Sequence, residues 1–390
     1  MVEIKSYPAR NGDAFLVKAS DSLFAMLIDG GFAETFRRYI RSDLEDLAAS
    51  GYALDIVVAT HVDADHVSGL LSLFSVNGSA KDPAIIRVNE VFYNSLRSLV
   101  APAQRRSEMH PDDFALLREI RLRGYPPPDP VNELDQEISA RQGNSLARLL
   151  SDGGYQWNTL TGAIPIGGTG LIEHCLRQAR IKVLGPNIAR LERLKKWWIS
   201  EIRRLGLVGP LEDLDDVFEF LCAREVIDTS EQLLSSSDAD LVDAYFPDNS
   251  VTNGSSISLI AEIEGRRLLF LGDSGADDTV SALVLNGPTT FDAVKIAHHG
   301  SVRNTSPELL TLVDSPHFFI STNGEGHDHP AFPVLKAIVD RPAPFRRTLH
   351  FNYSTPSSRR LRTYQSETAS DFLLDENQTD WVAIDNRNPT

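Results

Sequence analysis

At 390 residues, 42% hydrophobic and 24% charged, the chain has ordinary globular composition and enough apolar side chains for a large core. Its 54 acids against 38 bases give a net charge of −16, which repels polyanions at long range and excludes a general nucleic-acid coat, though not a nuclease whose carboxylates hold divalent cations. Cys175 and Cys222 are too few for a disulfide framework, no apolar run reaches the length of a membrane span, and no basic-then-apolar leader follows Met1, so a cytoplasmic protein without membrane contact is expected.

The first third reads as short strands separated by turns. Residues 2–6 alternate in polarity, and Asn11-Gly12-Asp13 signals a turn. Residues 15–18 and 24–28 are β-like and end at Asp29-Gly30-Gly31. Residues 32–50 have helical spacing, with Phe36, Ile40, Leu44 and Leu47 on one face. Residues 55–60 form a short apolar strand, and His61 follows at its C-terminal end. Such an α/β pattern places chemistry at the C-terminal ends of strands. Residues 81–250 read as a mostly helical insertion. Within it, residues 126–130 and 235–238 are loops, 181–184 a strand stopped by Gly185-Pro186, and 191–205 a charged helix. Strands then resume: a hairpin of 256–263 with 267–271 around Glu264-Gly265, then 293–297 and 318–322. The expected organisation is a first half of the core over 1–80, a mostly helical insertion over 81–250 with one or more core strands near 181–186, and a second half of the core with a C-terminal extension over 251–390.

Four segments carry chemistry. In Thr60-His-Val-Asp-Ala-Asp-His66, two imidazoles and two carboxylates leave one strand end. His61 and Asp63 can converge on one cation, and Asp65 and His66 on a second. The apolar strand Leu268-Leu-Phe-Leu-Gly-Asp273 delivers another carboxylate beside a glycine. Lys295-Ile-Ala-His-His-Gly-Ser301 and His327-Asp-His-Pro330 follow two further strands. Six of the ten histidines thus fall in three strand-exit segments, which packing alone does not explain.

These residues resemble a family. His61-Val-Asp-Ala-Asp-His66 is similar to the His-x-[His/Asp]-x-Asp-His signature of the metallo-β-lactamase superfamily. The set looks most like its competence branch, the ComEC-type hydrolase domain. Asn11-Gly-Asp-Ala14, Leu27-Ile-Asp-Gly-Gly31, Asn253-Gly-Ser-Ser256 with Leu271-Gly-Asp273, His298-His-Gly-Ser301 and His327-Asp-His-Pro330 all match it. The resemblance implies an αββα sandwich holding two divalent ions, Mn2+ or Zn2+, with Asp63 in place of the commoner histidine favouring manganese.

The roles it implies are as follows. His61 and Asp63 bind one metal, Asp65 and His66 the other, Asp273 bridges, and His329, in competition with His327, is the late histidine ligand. Asp29 supports from behind. Asp65 also orients the attacking water. His298 or His299 protonates the leaving oxygen or binds phosphate, with Lys295 and Ser301 beside them. The family's usual histidine between the early motif and Asp273 has no clear counterpart. His174, read here on a helical face, and His110 are the only histidines available, and Asn253 is a substitute ligand.

The expected function is a metal-dependent phosphodiesterase or nuclease acting on DNA. The alternatives are a small-molecule hydrolase of a phosphocholine-type diester, lactone or thioester, and a hydrolase subunit controlled by a protein partner in a bacterial defence complex. The stretch from Arg341 to Arg362, with six arginines, no acid and Phe345, Phe351 and Tyr353 among them, is the expected track for a nucleic-acid backbone.

Overall fold

A computed structural model describes residues 1–100, 145–158, 162, 164–168, 172–176, 179–204, 219, 239–284, 290–325 and 329–384. The loops read at 126–130 and 235–238, together with His110 and His327, lie outside the described residues.

The strands are β1 (Val2–Ser6), β2 (Phe15–Ala19), β3 (Phe24–Ile28), β4 (Ile56–Ala59), the short pair β5 (Gly78–Ser79) and β6 (Asp82–Pro83), and β7 (Val91–Tyr93). They continue with β8 (Ile172–Leu176), β9 (Ala179–Gly185), β10 (Ser258–Ile263), β11 (Arg266–Phe270) and β12 (Ala293–Lys295). The last four are β13 (His317–Ile320), β14 (Arg347–Phe351), β15 (Phe372–Glu376) and β16 (Val382–Ile384). One mixed sheet has the order β16-β1-β2-β3-β4-β7, and a second the order β15-β14-β13-β12-β11-β10-β9-β8. β3, β4 and β7 run parallel, as do β11 to β15, while the hairpin-linked strands are antiparallel.

Three apolar clusters define the layers. One lies between the sheets, where Ile4, Val17, Met26 and Val58 of the first meet Val183, Leu259, Leu268 and Phe319 of the second. Phe15 of β2 crosses this gap edge-on to Phe270 and Phe319, with ring centroids 6.1 and 6.3 Å away. A second cluster joins the outer face of the first sheet to helices, and the third does the same for the second sheet. Helices outside two stacked mixed sheets are the expected layer order.

Helical spacing over 32–50 holds: Phe36, Ile40, Leu44 and Leu47 are all buried, with a wider π turn over Phe36–Ile40. The strand expected at 181–184 is β9 of the second sheet, and β7 and β8 add further sheet strands within 81–250. β7 pairs with β4, and the β8–β9 hairpin edges the second sheet. His174 is on β8 rather than on a helix, half-buried against the Phe92 ring at 4.6 Å. No helix among the described residues is long and apolar enough to cross a membrane.

The helix Ala64–Asn77 carries Asp65 and His66, and its seat is set by glycines. A Cβ on Gly69 would stand 1.9 Å from the Gly30 carbonyl oxygen, and one on Gly12 would stand 1.9 Å from the Asp65 carbonyl oxygen. Only bare backbone lets the helix N-terminus come down on the turns after β1 and β3.

Candidate metal centre

The site lies where several strands end. His61 leaves β4, Asp273 follows β11, His298 and His299 follow β12, and Asp29 follows β3. All five are buried. His298 and His299 have φ of 44° and 55°, and Gly300 follows at 87°. Two histidines in the left-handed region cost roughly 1–2 kcal/mol each, so surrounding contacts must hold this turn.

Those contacts also fix the rings. Asp29 accepts from the Thr60 backbone N–H at 2.8 Å, from Thr60 Oγ1 at 2.7 Å and from His66 Nδ1 at 2.8 Å. Because Thr60 Oγ1 gives its proton to Asp29, it accepts from His61 Nδ1 at 3.1 Å. His298 Nδ1 donates to Asn304 Oδ1 and His299 Nδ1 to the Ser321 carbonyl, each at 2.8 Å. Every Nδ1 is therefore engaged as a donor, which leaves Nε2 as the nitrogen each ring turns toward the site. The four Nε2 atoms lie 3.9, 3.5, 3.7 and 3.6 Å from one oxygen, Asp273 Oδ2, for His61, His66, His298 and His299 respectively.

Lone pairs facing a carboxylate repel unless a positive charge sits among them. The buried Nε2 atoms of His61 and His66 and the Oδ1 atoms of Asp63 and Asp273 make no hydrogen bond. Nitrogen and oxygen donors arranged this way fit a divalent cation. Within 4.8 Å the donor atoms group as His61–His66–Asp273, Asp65–His66–His299 and Asp273–His298–His299.

This grouping differs from the split read in the sequence. His66 stands with His61 rather than only with Asp65, while Asp63 Oδ2 is 3.4 Å from His61 Nε2. Asn253, the expected substitute ligand, donates its amide to Asp248 at 2.8 Å. Lys295 and Ser301 also stand behind the site. Lys295 Nζ pairs with Asp13 and donates to the Gly272 carbonyl at 3.1 Å. Ser301 is fully buried, and its Oγ accepts from the Arg303 N–H at 3.0 Å. His329 is in the pocket wall, its ring 5.1 Å from that of His298.

Asp13, Asp248 and Asn304 are site residues that the sequence reading did not single out. Asp13 lies within the quoted Asn11-Gly-Asp-Ala14 motif and stands 3.3 Å from His299 Nδ1. The others carried no local signal.

Two outcomes follow for metal binding. Asp29→Ala leaves His61 and His66 without their shared anchor, so metal affinity measured by calorimetry should fall about 10–100-fold. Unchanged affinity would remove Asp29 from this role. The second outcome concerns pH in chelated protein. Burial opposes charge on His66, yet Asp273, Asp29 and Asp65 outweigh it and raise its pKa well above the usual value. Burial also opposes ionising Asp273, but His66, His299 and His298 outweigh that and hold its pKa well below the carboxylate range. A proton on His66 thus does the neutralising a cation would do. His66 contributes stability that is complete below its unfolded pKa of about 6.5 and is lost as pH rises through the raised folded value. The Asp273 contribution, complete above about 3.9, is lost only as pH falls. Chelation should therefore lower the melting temperature by about 3–5 °C near neutrality for a metal at about 100 times its Kd. That gap should widen toward alkaline pH. A gap that narrows with rising pH would contradict the arrangement.

Residues 7–145 match the family model described as Metallo-beta-lactamase superfamily. The matched span holds Asp13, Asp29 and the His61–His66 motif; Asp273, His298 and His299 lie beyond it. A search of the curated proteins finds no match.

Proposed function

We propose that this chain, whose residues 7–145 match the metallo-β-lactamase superfamily model, is a metal-dependent phosphodiesterase that cleaves DNA. One observation carries the phosphodiester part. The pocket over Asp273 is lined by Asn11, Asp63, Asp65, His298, His299, Thr322, Glu325 and His329, with no apolar side chain among them. Among the described residues an acyl chain of a lactone or thioester meets no apolar wall, whereas a phosphoryl group meets polar partners. The competence-branch motifs turn the reading toward DNA.

His61, His66, His298, His299, Asp63, Asp65 and Asp273 would hold the cations. When bound, these supply Lewis acidity toward a phosphoryl oxygen and make nearby water more acidic. The chain's own groups do the rest. Asp65, steadied by the Asn11 amide at 3.0 Å, orients the attacking water and accepts its proton. Thr322 and Asn11 offer an O–H and an N–H to the phosphate. His329, in the same wall, is placed to protonate the leaving oxygen.

A second reading, a small diester rather than a polymer, is favoured by where the arginines go. Two of the six arginines of the expected track, Arg341 and Arg347, are engaged by the fold itself. Arg347 is 1% exposed and binds Asp314 through Nε at 2.9 Å and Nη2 at 2.7 Å. Arg341 is turned onto the carbonyls of Leu310 and Val313. Phe351 is buried, and the Tyr353 hydroxyl accepts from the Arg10 N–H at 3.1 Å. Arg360 stacks at 3.6 Å over Phe332, Arg362 pairs with Glu376, and Arg346 is half-exposed near Asp371 at 3.7 Å.

The test is hydrolysis of bis-p-nitrophenyl phosphate, single-stranded DNA, duplex DNA and RNA by protein loaded with manganese or zinc. Cleavage of a thioester or lactone with none of any phosphodiester would defeat the proposal. Cleavage of the small diester alone selects the second reading.

A further inference from the structure

We propose that Asn304, itself held by Asp248, is a positioning residue that dictates which nitrogen of His298 carries the proton and so turns the bare Nε2 into the site. The role of His298 in a metal hydrolase rests on the function proposed above; the positioning itself stands on hydrogen-bond geometry.

Asn304 is fully buried and makes four contacts with three segments. Its Oδ1 is 2.8 Å from His298 Nδ1. Its Nδ2 reaches Asp248 Oδ2 at 3.1 Å, the Asp273 carbonyl at 3.0 Å and the Ser274 carbonyl at 3.3 Å. All three Nδ2 partners are acceptors only, so the amide nitrogen must face them. The amide oxygen is then left toward His298, whose Nδ1 must donate. A turned amide would set its oxygen against a carboxylate and two carbonyls, and its N–H against His298.

Asp248 supplies the bias. Its Oδ1 accepts from the Ser250 N–H at 2.8 Å, and its Oδ2 accepts from Asn253 Nδ2 as well as from Asn304. Buried and surrounded by donors, it remains an acceptor. Asn253, quoted in the sequence as a possible ligand, thus acts two residues removed from the imidazole. The relay also answers the strained backbone at His298. A left-handed histidine needs its ring pinned, and Asn304 pins it to the Asp273 main chain.

The relay can be tested in metal-free protein, independently of catalysis. Histidine ring 15N–1H correlation spectra of the wild type should show His298 as one tautomer, protonated on Nδ1. In Asp248→Asn, which keeps the shape but has one accepting oxygen for three surrounding donors, the Asn304 amide gains a reason to turn round. His298 should then become a mixture of tautomers. Asn304→Ala should do the same by deletion; the isosteric Asp248→Asn decides alone if that variant does not fold. In loaded protein, kcat on bis-p-nitrophenyl phosphate should fall about 10–100-fold, with KM changed less than about two-fold.

A wild-type His298 protonated on Nε2, or one that stays wholly Nδ1-protonated in both variants, overturns the proposal. If the tautomer responds as expected while the wild type cleaves no phosphodiester, the relay stands and the functional reading falls.

Discussion

Asp273→Ala should lower kcat/KM on a phosphodiester by about a thousand-fold and remove most divalent-ion binding. Asp273 Oδ2 is the one oxygen that four imidazole nitrogens face at 3.5–3.9 Å. It therefore belongs to two of the donor groups at once, and no neighbouring acid can take over both. Losing about 4 kcal/mol of transition-state charge stabilisation corresponds to that factor. The fold should survive, because deleting one carboxylate also relieves crowding with Asp63 and Asp65. Its signature is a melting temperature that no longer moves on chelation. An Asp273→Ala protein with wild-type turnover would sink the idea that the site's cations share this carboxylate.

Arg347→Ala should destabilise the protein by about 3 kcal/mol in urea titration, while Arg346→Ala stays within about 0.5 kcal/mol. The difference lies in burial: the Arg347 side chain is 1% exposed against 54% for Arg346. The figure sits at the low end for a broken buried pair, because Arg341 Nη2 still reaches Asp314 at 3.3 Å. Burial lowers the Arg341 pKa to about 10, with Asp314 raising it and Arg347 lowering it further. Removing Arg347 thus relieves one repulsion while losing a bidentate pair. Were Arg347→Ala equally stable and weaker on DNA, the arginines would regain their role as a phosphate track.

The strand ends and their histidines were legible because each motif is local. A strand, a glycine and a ligand occur within a few residues, as in Leu271-Gly272-Asp273. Distance defeated the rest. The segment from Arg341 to Arg362 contains no acid, so it reads as a basic strip. Its partners Asp314, Asp371 and Glu376 arrive from β13's approach, from the turn before β15 and from β15 itself. Asp248 and Asn304 are single polar residues whose meaning comes only from facing each other across 56 positions. Lys295 neighbours two site histidines in sequence, and its reading left open a place behind the site or at the substrate. Alternation along β12 points it at Asp13, behind them. His174 looked helical because its short run lacks strand punctuation, and only pairing with β9 defines it.

The donor atoms come from two different sheets. His61, Asp63, Asp65 and His66 leave the first, and Asp273, His298 and His299 leave the second. A cation held among them ties together stretches of chain that lie far apart in sequence and meet face to face. Contacts of such long sequence separation are the slowest to assemble, so the tie belongs to the finished state more than to the barrier. Metal would therefore act chiefly as a brake on opening: it would leave the refolding rate nearly untouched while prolonging the life of the native state. For a chain with so much sequence between its two ligand sets, the stripped form would be the one a protease reaches first.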